Sequence, residues 1–153
     1  MTPQDFINLI GSAAQASAFK TQVPASFTVA EAALESGWGS SQLATEGMNL
    51  FGVKADPSWQ GDVLTLNTRE YLHGQWVIVQ AKWRKYPNWQ SCMDDHAAFL
   101  HQNGRYADCF DCTLGDDFAK SVAKAGYATD PDYANKLIAI IDRHNLLSLD
   151  VVQ

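Results

Sequence analysis

The hydrophobic positions of this 153-residue chain change period twice along its length. At the start, Phe6, Leu9, Ile10 and Ala13 recur at the spacing of one helical face. Thr2, Pro3 and Asp5 offer that helix a cap, a proline in the first turn and an acid near its positive end. A second helix is expected just after Pro24, with Ser26 as its cap, Ala30, Ala33 and Leu34 inside it and Gly37 as its stop. Over residues 62–85 the period falls to about two. Thr65, Thr68, Tyr71, Trp76, Val77, Ile78, Val79 and Trp83 favour strand there, and His73-Gly74 between them predicts a hairpin turn. Helical spacing returns over 91–100, 116–125 and 131–143. In the last of these, Asp130 is expected to cap, Pro131 to take the first turn, and Ala134, Leu137, Ile138 and Ile141 to form the buried stripe. Helices, a small β element, then helices again make an α+β chain, not an alternating α/β one. No repeat or linker interrupts it, so residues 1–153 are expected to form a single domain.

Composition narrows the classes. Hydrophobic residues make up 46% and charged residues 18%, enough apolar material for a packed core. A net charge of −6 and dispersed basic residues argue against nucleic acid as a partner. Lys82, Arg84 and Lys85 are the closest group, and in an alternating segment they predict a solvated strand edge instead of a binding patch. No apolar run approaches the length of a membrane span, so no membrane insertion is expected. The opening MTPQDFINLI has neither a basic region nor a long apolar stretch, and no signal peptide is expected. Cys92, Cys109 and Cys112 are an odd count. The C-x-x-C at Cys109 and Cys112 has no second pair, and His96 and His101 do not share a helical face as i,i+4 ligands would. The thiols are expected to be ordinary small residues near a helix connection, with the pairing of any one disulfide left open. No metal or organic cofactor is implied.

The chemistry concentrates near Gly37. Glu35 stands in the last turn of the second helix, where the helix dipole opposes a carboxylate. That field, with expected burial beside Trp38 and Glu31 one turn earlier, would raise its pKa, which is what a general acid needs near neutral pH. A simple helix-end glutamate paired with a lysine explains the same residue on local grounds.

Three motifs shift that balance. Ala-Ala-Leu-Glu-Ser-Gly-Trp-Gly at 32–39, Asn-Leu-Phe-Gly-Val-Lys-Ala at 49–55 and Gly-Tyr-Ala-Thr-Asp-Pro-Asp-Tyr-Ala-Asn-Lys-Leu at 126–137 resemble the glycoside hydrolases of family seventy-three. These are peptidoglycan glucosaminidases, and the likeness runs from about Phe6 to Ile141. It implies a lysozyme-like fold, with a helical α-lobe and a small β-hairpin lobe flanking a glycan-binding groove. It also implies cleavage of the β-1,4 bond after N-acetylglucosamine. Glu35 matches the family's catalytic glutamate. Glu70 resembles its second glutamate, although Arg69 separates it from Thr68 where the family often runs Thr-Glu-Tyr. Tyr127 matches a groove tyrosine near the reacting sugar. Asp95 resembles a family aspartate, and an exposed helix acid beside Asp94 is its competing reading.

Sugar rings present apolar faces that stack on aromatic side chains. Trp38, Phe51, Trp59, Tyr127 and Tyr133 are the candidates for that contact, with Trp59 and Tyr127 assigned to the groove first and the core competing for the others. Asn49 is expected to bond backbone. The resemblance gives peptidoglycan glycan strands as the partner. A single domain of this size with no visible signal peptide is expected to be a monomeric phage or prophage lysin, made in the cytoplasm and acting at the wall after holin-type or other release, with a flagellar enzyme and a secreted antibacterial effector as the competing roles. The competing functions are a muramidase or lytic transglycosylase on the same fold, or a non-catalytic wall-binding module. Either carboxylate Glu70 or the substrate's own 2-acetamido group would complete the reaction that Glu35 begins.

Overall fold

The structure, a computed structural model, describes residues 1–150. Its elements are α1 (Pro3–Thr21), α2 (Ala25–Ser36), α3 (Gln42–Gly47), β1 (Asp62–Leu72), β2 (Gln75–Lys85), α4 (Trp89–Gln102), α5 (Gly115–Lys124) and α6 (Tyr133–Arg143). Short 3-10 stretches cover Gly104–Asp111 and Leu146–Asp150. The α+β order expected from the sequence is the order observed.

The capping box of α1 is complete. Asp5 N donates to Thr2 Oγ1 at 3.1 Å, and Thr2 N donates back to the Asp5 carboxylate at 3.3 Å. The buried face, however, is Phe6, Ile7, Ile10 and Ala14, while Leu9 is 45% exposed. Gly11 and Ala14 let α2 and α4 close on α1, and that contact turns Leu9 to the flank.

α2 is the centre of the fold. Residues 25–33 are buried all round, as a helix hydrophobic on every side must be. α1, α5, α6 and the Leu146–Asp150 turn pack on it. Ser26 is not its cap but lies inside its first turn, and Pro24 holds the cap position without a side-chain bond. The missing acceptor comes from the far end of the chain. Asp150 accepts from Ser26 N at 2.9 Å and Ser26 Oγ at 2.5 Å, and from Gly115 N at 2.8 Å, so one carboxylate serves the starts of both α2 and α5. Gly37 stops α2 at φ +57°.

β1 and β2 form a two-stranded antiparallel hairpin with Tyr71 opposite Trp76 and Glu70 opposite Val77. His73 and Gly74 both have positive φ, 52° and 78°, as a tight hairpin turn demands. Leu64, Leu66, Thr68 and Glu70 share the half-buried face. The hairpin base is fixed by Asn49, whose Nδ2 donates to Val53 O and Arg84 O at 2.9 Å each while Oδ1 accepts from Val53 N at 3.1 Å. Asn49 therefore bonds backbone, as expected. Arg84 departs from the solvated edge predicted for it: its side chain is 16% exposed and tied to two aspartates, because β2 runs past α4 at that point.

α3 escaped the pattern reading, since six residues are too few to show a period. α6 begins at Tyr133, and Asp130 stands just before it, accepting from Asp132 N at 2.9 Å and pairing with Lys136 at 2.5 Å. Its buried stripe is Tyr133, Leu137 and Ile141, with Ala134 and Ile138 only half-buried. The three cysteines are free.

Candidate active site

The last two turns of α2 place two glutamates on one side, i and i+4, with opposite surroundings. Glu31 is 1% exposed among Ala, Val and Phe side chains. Such a carboxylate must find donors. Its Oε1 lies 2.6 Å from His96 Nε2, which donates to it in the tautomer protonated there, and accepts from the Tyr127 hydroxyl at 3.0 Å; that hydroxyl is also 2.8 Å from His96 Nε2, and Glu31 Oε2 accepts from the Tyr133 hydroxyl at 2.7 Å. Glu35 is exposed, one turn closer to solvent, and the same Tyr133 hydroxyl lies 3.0 Å from its Oε1. The burial expected for Glu35 beside Trp38 therefore falls to Glu31.

Each donor arrives on a separate element. His96 comes from α4, in the stripe with Cys92, Met93, Ala97 and Leu100. Phe51, in the loop after α3, stacks on the His96 ring at 4.3 Å and fixes its plane. Tyr127 follows α5, whose chain turns at Gly126 with φ +88°. Tyr133 opens α6. Burial, and then the Glu31 charge, pushes both phenols far up, so they remain protonated donors.

Tyr133 has one proton and two carboxyl neighbours. Given to the nearer Glu31, it leaves Glu35 facing a hydroxyl lone pair.

Glu31, Glu35, Phe51, Phe99, Tyr127, Ala128 and Tyr133 line a cavity of about 290 Å³. A second cavity, about 700 Å³, holds Val53, Lys54, Trp59, Arg84, Asp95 and His96 among its walls, and Phe99 lines both. The two adjoin at Phe99.

The sequence-predicted residues sort accordingly. Glu35, Phe51, Tyr127 and Tyr133 meet in the smaller cavity, and Trp59 and Asp95 lie in the larger. Trp59 is held by its own Nε1, which donates to Asp62 O at 2.8 Å, and its ring covers the Arg84 guanidinium at 4.7 Å. Asp95 is engaged: its Oδ2 accepts from Arg84 Nη1 at 2.8 Å and the Tyr86 hydroxyl at 2.6 Å. Trp38 lines neither cavity. Left-handed φ at Gly37 and Trp38, 57° each, throws its ring back onto Phe6 at 5.9 Å and His144 at 5.0 Å. Glu70 lines neither cavity, sits three residues before the hairpin turn, and its carboxylate has no hydrogen-bond or ion-pair partner among the described residues.

Sequence reasoning undervalued Glu31 and dismissed His96. Both carried a signal: a glutamate ringed by small apolar residues in α2, and a histidine on the apolar stripe of α4.

A helical lobe, a hairpin wing and an acid-bearing groove between them define the class of the lysozyme-like glycoside hydrolases. The chain belongs to the glucosaminidase family: residues 11–146 match its model, described as mannosyl-glycoprotein endo-beta-N-acetylglucosaminidase. Among solved structures, the C-terminally truncated glycoside hydrolase domain of Salmonella typhimurium FlgJ superposes with a TM-score of 0.85 at 37% identity, covering 94% of this chain and 98% of that one. The peptidoglycan hydrolase FlgJ of Salmonella typhimurium is 38% identical over 149 residues, 95% of this chain and 47% of its own. The exo-glucosaminidase LytG of Bacillus subtilis is 37% identical over 154 residues, 97% of this chain and 54% of its own. The chain thus spans about half the length of these curated relatives.

Proposed function

We propose that this chain hydrolyses peptidoglycan, cutting the β-1,4 bond after N-acetylglucosamine in the glycan strand, with Glu35 as general acid. The observation that carries the reading is the place of Glu35, exposed on the wall of the smaller cavity with the Tyr133 hydroxyl 3.0 Å from its Oε1, while its neighbour Glu31 is buried and held by three partners. A carboxyl group at the wall of an open groove is placed to reach a leaving glycosidic oxygen and protonate it. The names of FlgJ and LytG point the same way for the substrate.

Glu35 gives its proton to the leaving oxygen while positive charge develops at the anomeric carbon. The cavity around it presents no carboxylate besides Glu31, which is fully engaged. The group left to trap that carbon is the substrate's 2-acetamido oxygen, forming an oxazolinium that water opens with retention. Glu70, on the half-buried face of the hairpin, is assigned the task of steadying that cation as the strand fills the groove. Phe51, Phe99 and Trp59 offer the apolar faces on which sugar rings stack.

Purified peptidoglycan incubated with wild type and Glu35→Gln, then reduced with borohydride and read by mass spectrometry, tests this. Reduced N-acetylglucosamine ends from wild type alone are the expected result. Reduced N-acetylmuramic acid ends would move the chain to the muramidases, and anhydro ends to the transglycosylases. No new ends from the folded wild type would sink the hydrolase reading and leave a glycan-binding module.

A further inference from the structure

Glu31 is the most deeply buried titratable group of the groove, and the reaction above never touches it. A carboxylate at 1% exposure that only filled space would be better replaced by an apolar side chain. Instead three elements each commit a polar hydrogen to it: α4 through His96, the chain after α5 through Tyr127, and α6 through Tyr133. The one group joining this cluster to the reacting acid is the Tyr133 hydroxyl, 2.7 Å from Glu31 and 3.0 Å from Glu35.

We propose that Glu31 is a positioning residue for the reaction: by accepting the Tyr133 proton it turns the hydroxyl's lone pair toward Glu35 and so keeps the proton that Glu35 will donate. This rests on the reading of Glu35 as the acid. An ionised carboxylate can only accept, which fixes the direction of the whole chain of bonds: His96 and Tyr127 into Oε1, Tyr133 into Oε2, and Glu35 into Tyr133. A neutral amide at the same place removes the charge and no longer fixes the direction. Where its N–H turns to the Tyr133 oxygen, the Tyr133 proton swings to Glu35 and the ionised form of Glu35 becomes the one that is hydrogen-bonded.

The groups facing the pair are few. His96, Tyr127 and Tyr133 are the titratable ones in contact with Glu31, and Tyr133 the one in contact with Glu35. From the other elements packed on α2, α1 buries Phe6, Ile10 and Ala14, α5 buries Phe118 and Val122, and α6 adds Leu137 and Ile141, none titratable. The ionic groups of α1 and the last 3-10 turn are occupied elsewhere, Lys20 with Asp94 and Asp150 with Ser26 and Gly115. Asp95, next to His96 in sequence, is held by Arg84 and Tyr86.

The test is the pH profile of kcat/KM on soluble glycan fragments for wild type, Glu31→Gln, Tyr133→Phe and the double variant. Glu31→Gln is expected to move the alkaline limb to lower pH by about one unit, with KM little changed. Tyr133→Phe cuts the bridge from the other end and moves the limb the same way, and adding Glu31→Gln to it moves nothing further. A limb that stays in place under a uniform loss of rate would overturn the proposal and leave Glu31 a structural group. Carbon-13 titration of the glutamate carboxyls needs no turnover. There the Glu35 signal is expected to shift its midpoint down in folded Glu31→Gln, and an unchanged midpoint overturns the proposal even if the wild type proves to cleave no glycan.

Discussion

Arg84 on β2 donates from Nη1 to Asp95 Oδ2 on α4 across 2.8 Å, and this pair joins the hairpin to the helical lobe. Its other nitrogens reach Asp56 Oδ2 and Lys54 O, both at 3.1 Å. The guanidinium therefore holds the floor of the larger cavity from three directions. Arg84→Gln is expected to cost about 2 kcal/mol of stability in urea unfolding, less than a fully buried pair because both partners keep some exposure. Asp95→Asn should cost less, since its amide oxygen still accepts from Arg84 and Tyr86, and should retain measurable turnover. Abolished turnover with unchanged stability in Asp95→Asn would instead make Asp95 a reacting group.

Asp150 closes the fold at the opposite end of α2. Its three bonds satisfy donors that α2 and α5 would otherwise leave unmet at their starts. Asp150→Ala is expected to destabilise by about 3 kcal/mol, more than one ordinary cap, because two helices lose an acceptor together. The loss would appear as a lower thermal midpoint with the substrate KM unchanged. Gly115→Ala should be comparably harmful, for a Cβ there would overlap Ser26 Oγ.

These two ties mark the limit of what the sequence reveals. The hairpin and its turn were legible because alternation and a Gly after His73 are local facts. Glu35 was legible as a candidate through its motif, and it lines the smaller cavity. Asp150 serving Ser26 joins positions 124 residues apart, and Arg84 serving Asp95 joins a strand to the next helix, and no periodicity within one element encodes such a partner. The stacking face of Trp38 was misjudged for a related reason: two successive left-handed residues redirect a ring that the motif alone places beside Glu35. Glu31 was visible as a charge but not as the hub of three distant donors.

The cysteines should separate by burial. Burial pushes the Cys92 thiol up to about 12, and Cys109 is 1% exposed with Ser121 Oγ 3.1 Å from its sulfur. Cys112 is the half-buried one, and its thiol is also raised, by burial first and then by Asp117. A chromogenic disulfide reagent at pH 8 is expected to titrate one thiol slowly in the native protein and all three after denaturation. Rapid native release of two or more equivalents would show that α4 or the Gly104–Asp111 turn opens readily.

The role proposed for Glu70 can be tested through the way the reaction ends. Its carboxyl lies on the half-buried face of β1, opposite Val77, outside the cavity that holds Glu35. A water-activating base would need to stand roughly 6.5–9.5 Å from the acid across the sugar, with inversion as the outcome. Steadying an oxazolinium asks less of its position. Glu70→Gln is therefore expected to lower kcat by about tenfold to a hundredfold, against at least a hundredfold for Glu35→Gln, with the thermal midpoint unchanged in both. Proton NMR of the first product should show the β-anomer before mutarotation. An α-anomer appearing first, together with recovery of the Glu70→Gln rate by added azide, would give Glu70 the water and replace the acetamido route with direct inversion.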